Sequence, residues 1–273
     1  MRSCVLGLPA DRSGVYGQIQ DWCQAHGLGV YEPQRRYGEG TLWNEWNGTG
    51  FGFRRETVQM LRTVKEPMMW HVGSYYYASK PEILRRALPM LWAMREALRE
   101  MGVEHPWLMV DEPPHAEKYG WTQEVESDVR RFVEGAKSAK WLVGVAVPGP
   151  SQYAFWRERI QPGRWVLHAK HEWDVSGDVW LYNAETVTGL AARLAAAGAS
   201  GYLQWSAVRT TVKGPVPILF NEAGQPTEAG LRLVEELRSE VSGAPDTVEA
   251  RLSSLESRAT ALEAKAAMTT GRQ

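Results

Sequence analysis

"HPWLMVDEPPH", residues 105–115, decides how the chain is read. Four apolar residues, Trp107 to Val110, follow one another without alternation and run into Asp111 and Glu112, and Pro113-Pro114 then stop the segment. An extended segment that is apolar on both faces belongs to a parallel sheet covered by helices, not to a sheet with one wet face. Its polar end is its carboxyl end, the edge at which α/β proteins place their chemistry.

Working outward, the pattern recurs. Strands are expected at 4–10, 28–33, 67–77, 107–112, 141–147, 164–170, 178–184 and 200–208. Helical spacing is expected over 13–27, 54–65, 81–101, 122–138, 151–159 and 186–197, with Leu84, Leu88, Leu91, Met94 and Leu98 forming one apolar face. No helix is evident between the sixth and seventh strands. Eight strands alternating with helices over about 240 residues fit a (β/α)₈ TIM barrel. A doubly wound open sheet is the competing architecture, but no G-x-G-x-x-G follows any strand. After the eighth strand come a short extended piece, a turn at Ala223-Gly224-Gln225-Pro226 and a closing helix over 227–241, so the barrel is assigned residues 1–241.

Residues 242–247 read as a linker. Beyond it, Val248, Leu252, Leu255, Ala259, Leu262 and Ala266 repeat at spacings of four and three, the a and d positions of a heptad. Arg251 with Glu256, and Arg258 with Glu263, fall at g and e, where they bridge neighbouring chains of a parallel coiled coil. "RLSSLE" (251–256) resembles a motif of parallel three-stranded coiled coils. Residues 248–268 are therefore expected to form a trimeric coiled coil, with homotrimer contacts through 248–266 and a flexible tail at 269–273.

The 273 residues carry a formal net charge of −1, which gives no electrostatic case for nucleic acid or an anionic membrane. The amino terminus lacks the form of a signal peptide, so synthesis in a cytoplasm is expected. No apolar run is long enough to span a bilayer. Two cysteines, Cys4 and Cys23, make neither a disulfide framework nor a metal cluster, and buried thiols are expected. Thirteen Trp and ten Tyr against five Phe favour rings with a polar handle, which suit half-buried clefts.

In a barrel, Asp111 and Glu112 reach the mouth. Successive strand residues face opposite ways, so both acids turn inward only where the strand twists or breaks, and Pro113-Pro114 allow that. Pro113 is also expected to hold Glu112 extended and carry the strand through it. Two close carboxylates raise each other's cost of ionisation, which keeps one protonated as a general acid must be. Sugar chemistry fits: Glu112 to protonate a glycosidic oxygen, Asp111 to orient or stabilise what attacks the anomeric carbon. A metal reading of His115, His168 and His171 with Glu172 is set aside, because His168 and His171 would lie on opposite faces of a strand. No metal and no cofactor is expected.

Several stretches together resemble glycoside hydrolase family 123. "LMVDEPP" (108–114) matches its strand-four Asp-Glu-Pro, and "DVWLYNAE" (178–185) its Trp-x-Tyr strand. "AAAGASGYLQWSAV" (195–208) and "PVPILFNEAGQPTEAGLRLVEELR" (215–238) are similar to its closing strand, extended piece and final helix. The family's amino-terminal β-domain has no counterpart ahead of the first strand. The resemblance implies retaining cleavage of N-acetylhexosaminides by substrate assistance, with the sugar's acetamido group as nucleophile, Glu112 as acid/base and Asp111 positioning the acetamide. It also implies aromatic pocket positions at Tyr182 and Trp205. Trp70, His71, Tyr75 and Trp173, at strand ends, are further candidates to line the pocket. Glu172 and Asp174, then Glu185, would supply a second carboxylate under a two-carboxylate mechanism. The implied ligand is an amino-sugar glycan. The alternative is a non-catalytic structural or receptor-binding part of a phage virion, a tail or capsid appendage with other virion proteins as partners, since a barrel on a trimeric stem without an export signal is built like one.

Overall fold

The computed structural model describes residues 2–7, 16–31, 68–72, 82–115, 121–204, 207–208 and 217–239. Within them the chain runs β1 (Ser3–Gly7), α1 (Tyr16–Ala25), β2 (Gly29–Tyr31), β3 (Met68–Val72), α2 (Glu82–Glu100), β4 (Trp107–Asp111), α3 (Gln123–Ser138), β5 (Leu142–Val147), α4 (Pro150–Arg157), β6 (Arg164–His168), β7 (Val179–Tyr182), α5 (Leu190–Ala196), β8 (Gly201–Gln204) and α6 (Glu228–Arg238). The expected helix at 54–65 and the coiled coil at 248–268 lie outside the described residues. The chain divides into two units, Met1–Ser239 and Glu240–Gln273, the second wholly outside them. No described helix is long and apolar enough to cross a membrane.

Every described strand pairing is parallel, in the order β2-β1-β8-β7-β6-β5-β4-β3. This is chain order read around a circle, with β1 beside β8. A doubly wound sheet reverses its order at a switch point instead. The two ends of the ladder, β2 and β3, run with their Cα atoms as near neighbours, so the sheet curls back on itself in a TIM-barrel-like fold.

Strand alternation sorts the core into two shells. Val5, Trp107, Met109, Ala146, Val166, Trp180, Tyr182 and Leu203 pack inside the barrel. Their neighbours along each strand, such as Leu108, Val110, Val143, Val145, Leu167 and Leu181, pack outward with the helices. The outer shell includes Leu91, Met94 and Leu98 of α2, and Val129, Phe132 and Val133 of α3, whose first turn is capped by Thr122 Oγ1 accepting from the Val125 N–H at 3.1 Å. Cys4 and Cys23 are buried free thiols. The inner shell pairs large residues with glycines. A Cβ on Gly144 would sit 2.7 Å from Trp107, and one on Gly201 2.2 Å from Trp180. The two indoles meet edge-on at 5.1 Å, and the Arg164 guanidinium packs against both, 4.9 and 4.3 Å from their centroids and paired with Asp178 at 2.8 Å. This closes the amino-terminal half of the barrel and leaves the carboxyl rim for the site.

Four expected boundaries move at that rim. β4 ends at Asp111, not Glu112, because Glu112 takes a φ of 40°; the extended geometry expected from Pro113 is not adopted. β7 ends at Tyr182, because Asn183 has a φ of 49°. β6 ends at His168, so His171 lies in the following loop and the opposite-face argument about the two histidines does not apply. The helix expected from residue 186 begins only at Leu190, after Gly189 with a φ of 72°.

Candidate active site

Asp111 continues the inward phase of Trp107 and Met109 to the rim of β4. Glu112 would then alternate outward. Its left-handed φ of 40° breaks the alternation while its N–H still donates to the Ala146 carbonyl of β5 at 3.0 Å. For a non-glycine residue this conformation costs on the order of 1–3 kcal/mol. Across the mouth, Glu112 Oε1 accepts from the Tyr182 hydroxyl of β7 at 2.8 Å. The left-handed Asn183, next to Tyr182, likewise donates its N–H across to the Leu203 carbonyl of β8 at 3.0 Å. Two strained residues therefore flank one hydrogen bond at the carboxyl rim.

The loop behind the acids is held from outside the barrel. The Pro113 carbonyl accepts from Gln152 Nε2 at 2.6 Å and from Trp156 Nε1 at 3.0 Å, both on α4, and Pro113, Pro114 and His115 are buried. Removing those donors would free the backbone on which both carboxylates ride.

Electrostatically the pair is biased toward holding protons. Burial first, and then the charge of Glu112, push the Asp111 carboxyl well above the usual carboxylate range. Burial also raises Glu112, against the opposing pull of the Tyr182 hydrogen bond and the Lys170 charge. Tyr182 is raised well above its ordinary value by burial and by both carboxylates, so it stays a proton donor. Asp111 as a residue keeps partial solvent access, yet its Oδ1 is buried with no hydrogen-bond partner among the described residues. A sealed acceptor without a donor costs about 1–3 kcal/mol, unless a ligand supplies the donor.

Of the other expected pocket residues, Trp173 sits on the β6–β7 loop, its Nε1 donating to the His168 carbonyl at 2.9 Å and its ring edge-on to His171 and Tyr153. Glu172, Asp174 and Glu185 are exposed. The register of β3 sets Trp70 beside Leu108 and His71 beside Met109. Trp205 and Tyr75 lie outside the described residues. His168, absent from the expected pocket, is brought to it: its ring centroid is 4.8 Å from that of Tyr182. The missed signal was phase, since Arg164 and His168 share the inward phase of Val166. Among the described residues, no three His, Cys, Asp or Glu side chains are grouped to hold a metal ion.

No protein family matches the sequence, and no curated protein does. Solved structures do. A β-1,4-mannanase from the sea hare Aplysia kurodai superposes with a TM-score of 0.50 at 9% identity, over 91% of this chain and 95% of that one. A GH5_18 protein of Bifidobacterium longum, in complex with Manβ1-4GlcNAc, gives a TM-score of 0.53 at 11% identity, over 90% of this chain and 80% of its own. Identity this low speaks for the fold alone.

Proposed function

We propose that the barrel mouth binds and hydrolyses glycans, and that its substrates are N-acetylhexosaminides cleaved with retention by substrate assistance. The observation that carries this is the acid pair at the inner rim: Glu112 hydrogen-bonded to Tyr182, beside an Asp111 whose buried Oδ1 lacks a donor. Glu112 is the acid/base. Its raised proton affinity favours the protonated form that an acid needs to protonate a leaving oxygen. Tyr182 holds the carboxyl in place and steadies the carboxylate left behind. Asp111 accepts from the acetamide N–H, which supplies the donor missing from Oδ1 and orients the acetamide oxygen toward the anomeric carbon. Substrate assistance is favoured over two carboxylates by the resemblance to glycoside hydrolase family 123, which implies the sugar's own acetamido group as nucleophile. Two supports come from outside the site: the resemblance of the stretches 108–114, 178–185, 195–208 and 215–238 to glycoside hydrolase family 123, and two fold neighbours that are a mannanase and a protein holding an N-acetylglucosamine-containing disaccharide.

Chromogenic β-N-acetylhexosaminides test the proposal. Wild type should release the chromophore, and Glu112→Gln should lose about 10²–10⁴-fold in kcat, the range for a positioned proton donor. Asp111→Asn should cost rate on acetamido sugars. Absence of turnover by wild type, or equal turnover by Glu112→Gln, rejects the mechanism.

A further inference from the structure

We propose that His168 is a ligand-binding residue of the mouth, presenting a fixed Nε2–H donor to an uncharged sugar oxygen beside Glu112 and Tyr182. The choice of ligand rests on the carbohydrate reading above, whereas the state of the imidazole does not.

The local backbone sets the tautomer. His168 is the last residue of β6, in the inward phase of Arg164 and Val166 and in register with Tyr182. Immediately after it the chain turns, and the Lys170 N–H donates to His168 Nδ1 at 3.2 Å. An acceptor nitrogen in a neutral imidazole leaves its proton on the other nitrogen. The residue is fixed further through its carbonyl, which accepts from Trp173 Nε1 at 2.9 Å and from the His171 N–H at 3.3 Å. With Nδ1 held by the loop's own backbone, Nε2 lies on the other side of a ring that stands 4.8 Å from that of Tyr182, tilted 59° to it.

The surrounding charges keep it neutral. Burial first, then Lys170 and His171 on the same loop, lower the imidazole to about 4. From β7 the ring of Tyr182 faces it, and Tyr182 in turn holds Glu112 of β4. Neutrality matters here. An imidazolium in this place would favour the ionised form of Glu112 and undo the raised proton affinity an acid needs. The proton of Glu112 is committed to the leaving oxygen and the Tyr182 O–H to Glu112, so His168 supplies a further donor without a charge, which a hydroxyl or carbonyl oxygen of a sugar requires.

Two readouts separate the claims. Long-range ¹⁵N–¹H correlation on the full chain, assigned with His168→Gln, should show an Nε2-protonated, Nδ1-bare imidazole from pH 5.5 to 8. An Nδ1–H tautomer, or an imidazolium at pH 6, overturns the proposal whatever the protein binds. Calorimetric titration with N-acetylglucosamine, N-acetylgalactosamine and mannose tests the ligand. His168→Phe, which keeps a ring but no donor, should weaken binding of whichever sugar wild type takes by about tenfold, a typical loss for one hydrogen bond to a buried partner. His168→Gln, which restores a donor at similar reach, should stay within about threefold. Unweakened binding by His168→Phe overturns the binding role. Failure of wild type to bind any of the three overturns the carbohydrate reading, and this ligand with it, independently of the tautomer result.

Discussion

At the scale of the residue, the acid pair makes a prediction about stability as well as rate. Asp111 and Glu112 bind protons more tightly in the fold than in the unfolded chain, where carboxyls titrate near 4. Below that pH both states are protonated and the pair is neutral to stability. As pH rises past about 4 the unfolded chain sheds protons that the fold retains, so stability falls until the folded pair has titrated, by about 1.4 kcal/mol for each unit of raised affinity. Asp111→Asn removes the buried charge at nearly constant shape. It should therefore raise Tm at pH 8 by several degrees over wild type and change it little at pH 4. Comparison at each pH cancels the opposite contribution of His168, whose lowered value adds stability that is lost as pH falls from about 6.5 to about 4. A scanning calorimeter decides it; an Asp111→Asn protein no more stable than wild type at pH 8 contradicts the charge burial. The sequence makes Asp111 legible, because strand phase alone sends it inward with Trp107 and Met109. Glu112 was legible as an acid at the rim but not in its conformation. Proline neighbours disfavour the right-handed helical region for the preceding residue, yet the choice of a left-handed φ over an extended one goes with tertiary contacts to Ala146 and to Tyr182, seventy residues away in the chain. Such contacts leave no mark in a local window.

At the scale of the element, the strands are readable because burial on both faces writes continuous apolar runs, and their ends are not, because single residues set them. Asn183 stops β7 two residues early, and Gly189 delays α5 by four residues within an Ala-rich stretch whose propensity favours helix throughout. The inner shell was equally hidden: nothing in "ASGYLQ" (199–204) tells that Gly201 faces an indole. That packing is testable. Gly201→Ala would put a Cβ 2.2 Å from Trp180 Cε2 in a shell already closed by Arg164 and Trp107, so it should destabilise by about 1–3 kcal/mol. Gly17 is exposed on α1, and a Cβ added there would meet nothing within 4 Å. Gly17→Ala should therefore stabilise by about 0.5–1 kcal/mol through helix propensity alone. Urea midpoints of the two variants should move in opposite directions. A Gly201→Ala midpoint at or above wild type would show that the barrel interior has room which the Trp180 contact denies.

At the scale of the whole molecule, the heptads of 248–266 make a prediction that stands apart from the barrel. Fewer than three heptads is marginal for an independent helix in water, so association through this segment would have to draw on Leu252, Leu255 and Leu262, which the heptad places at a and d, and on Arg251 with Glu256 and Arg258 with Glu263, which it places at g and e. We expect the 30.7 kDa chain to sediment at three times its own mass at micromolar concentration, and residues 1–241 alone to sediment as a monomer. The functional consequence follows from effective concentration. Monosaccharide sites in open mouths are weak, and joining three of them converts later binding events into intramolecular ones, which raises retention on a multivalent surface by about 10²–10⁴-fold without any new contact. Full chain and residues 1–241 should thus show the same affinity for a free sugar but differ widely in release from a surface densely coated with it. A full-length monomer in the centrifuge removes the trimer. A trimer that leaves the coated surface as fast as the truncated chain removes the link between the stem and sugar binding while leaving the site itself untouched.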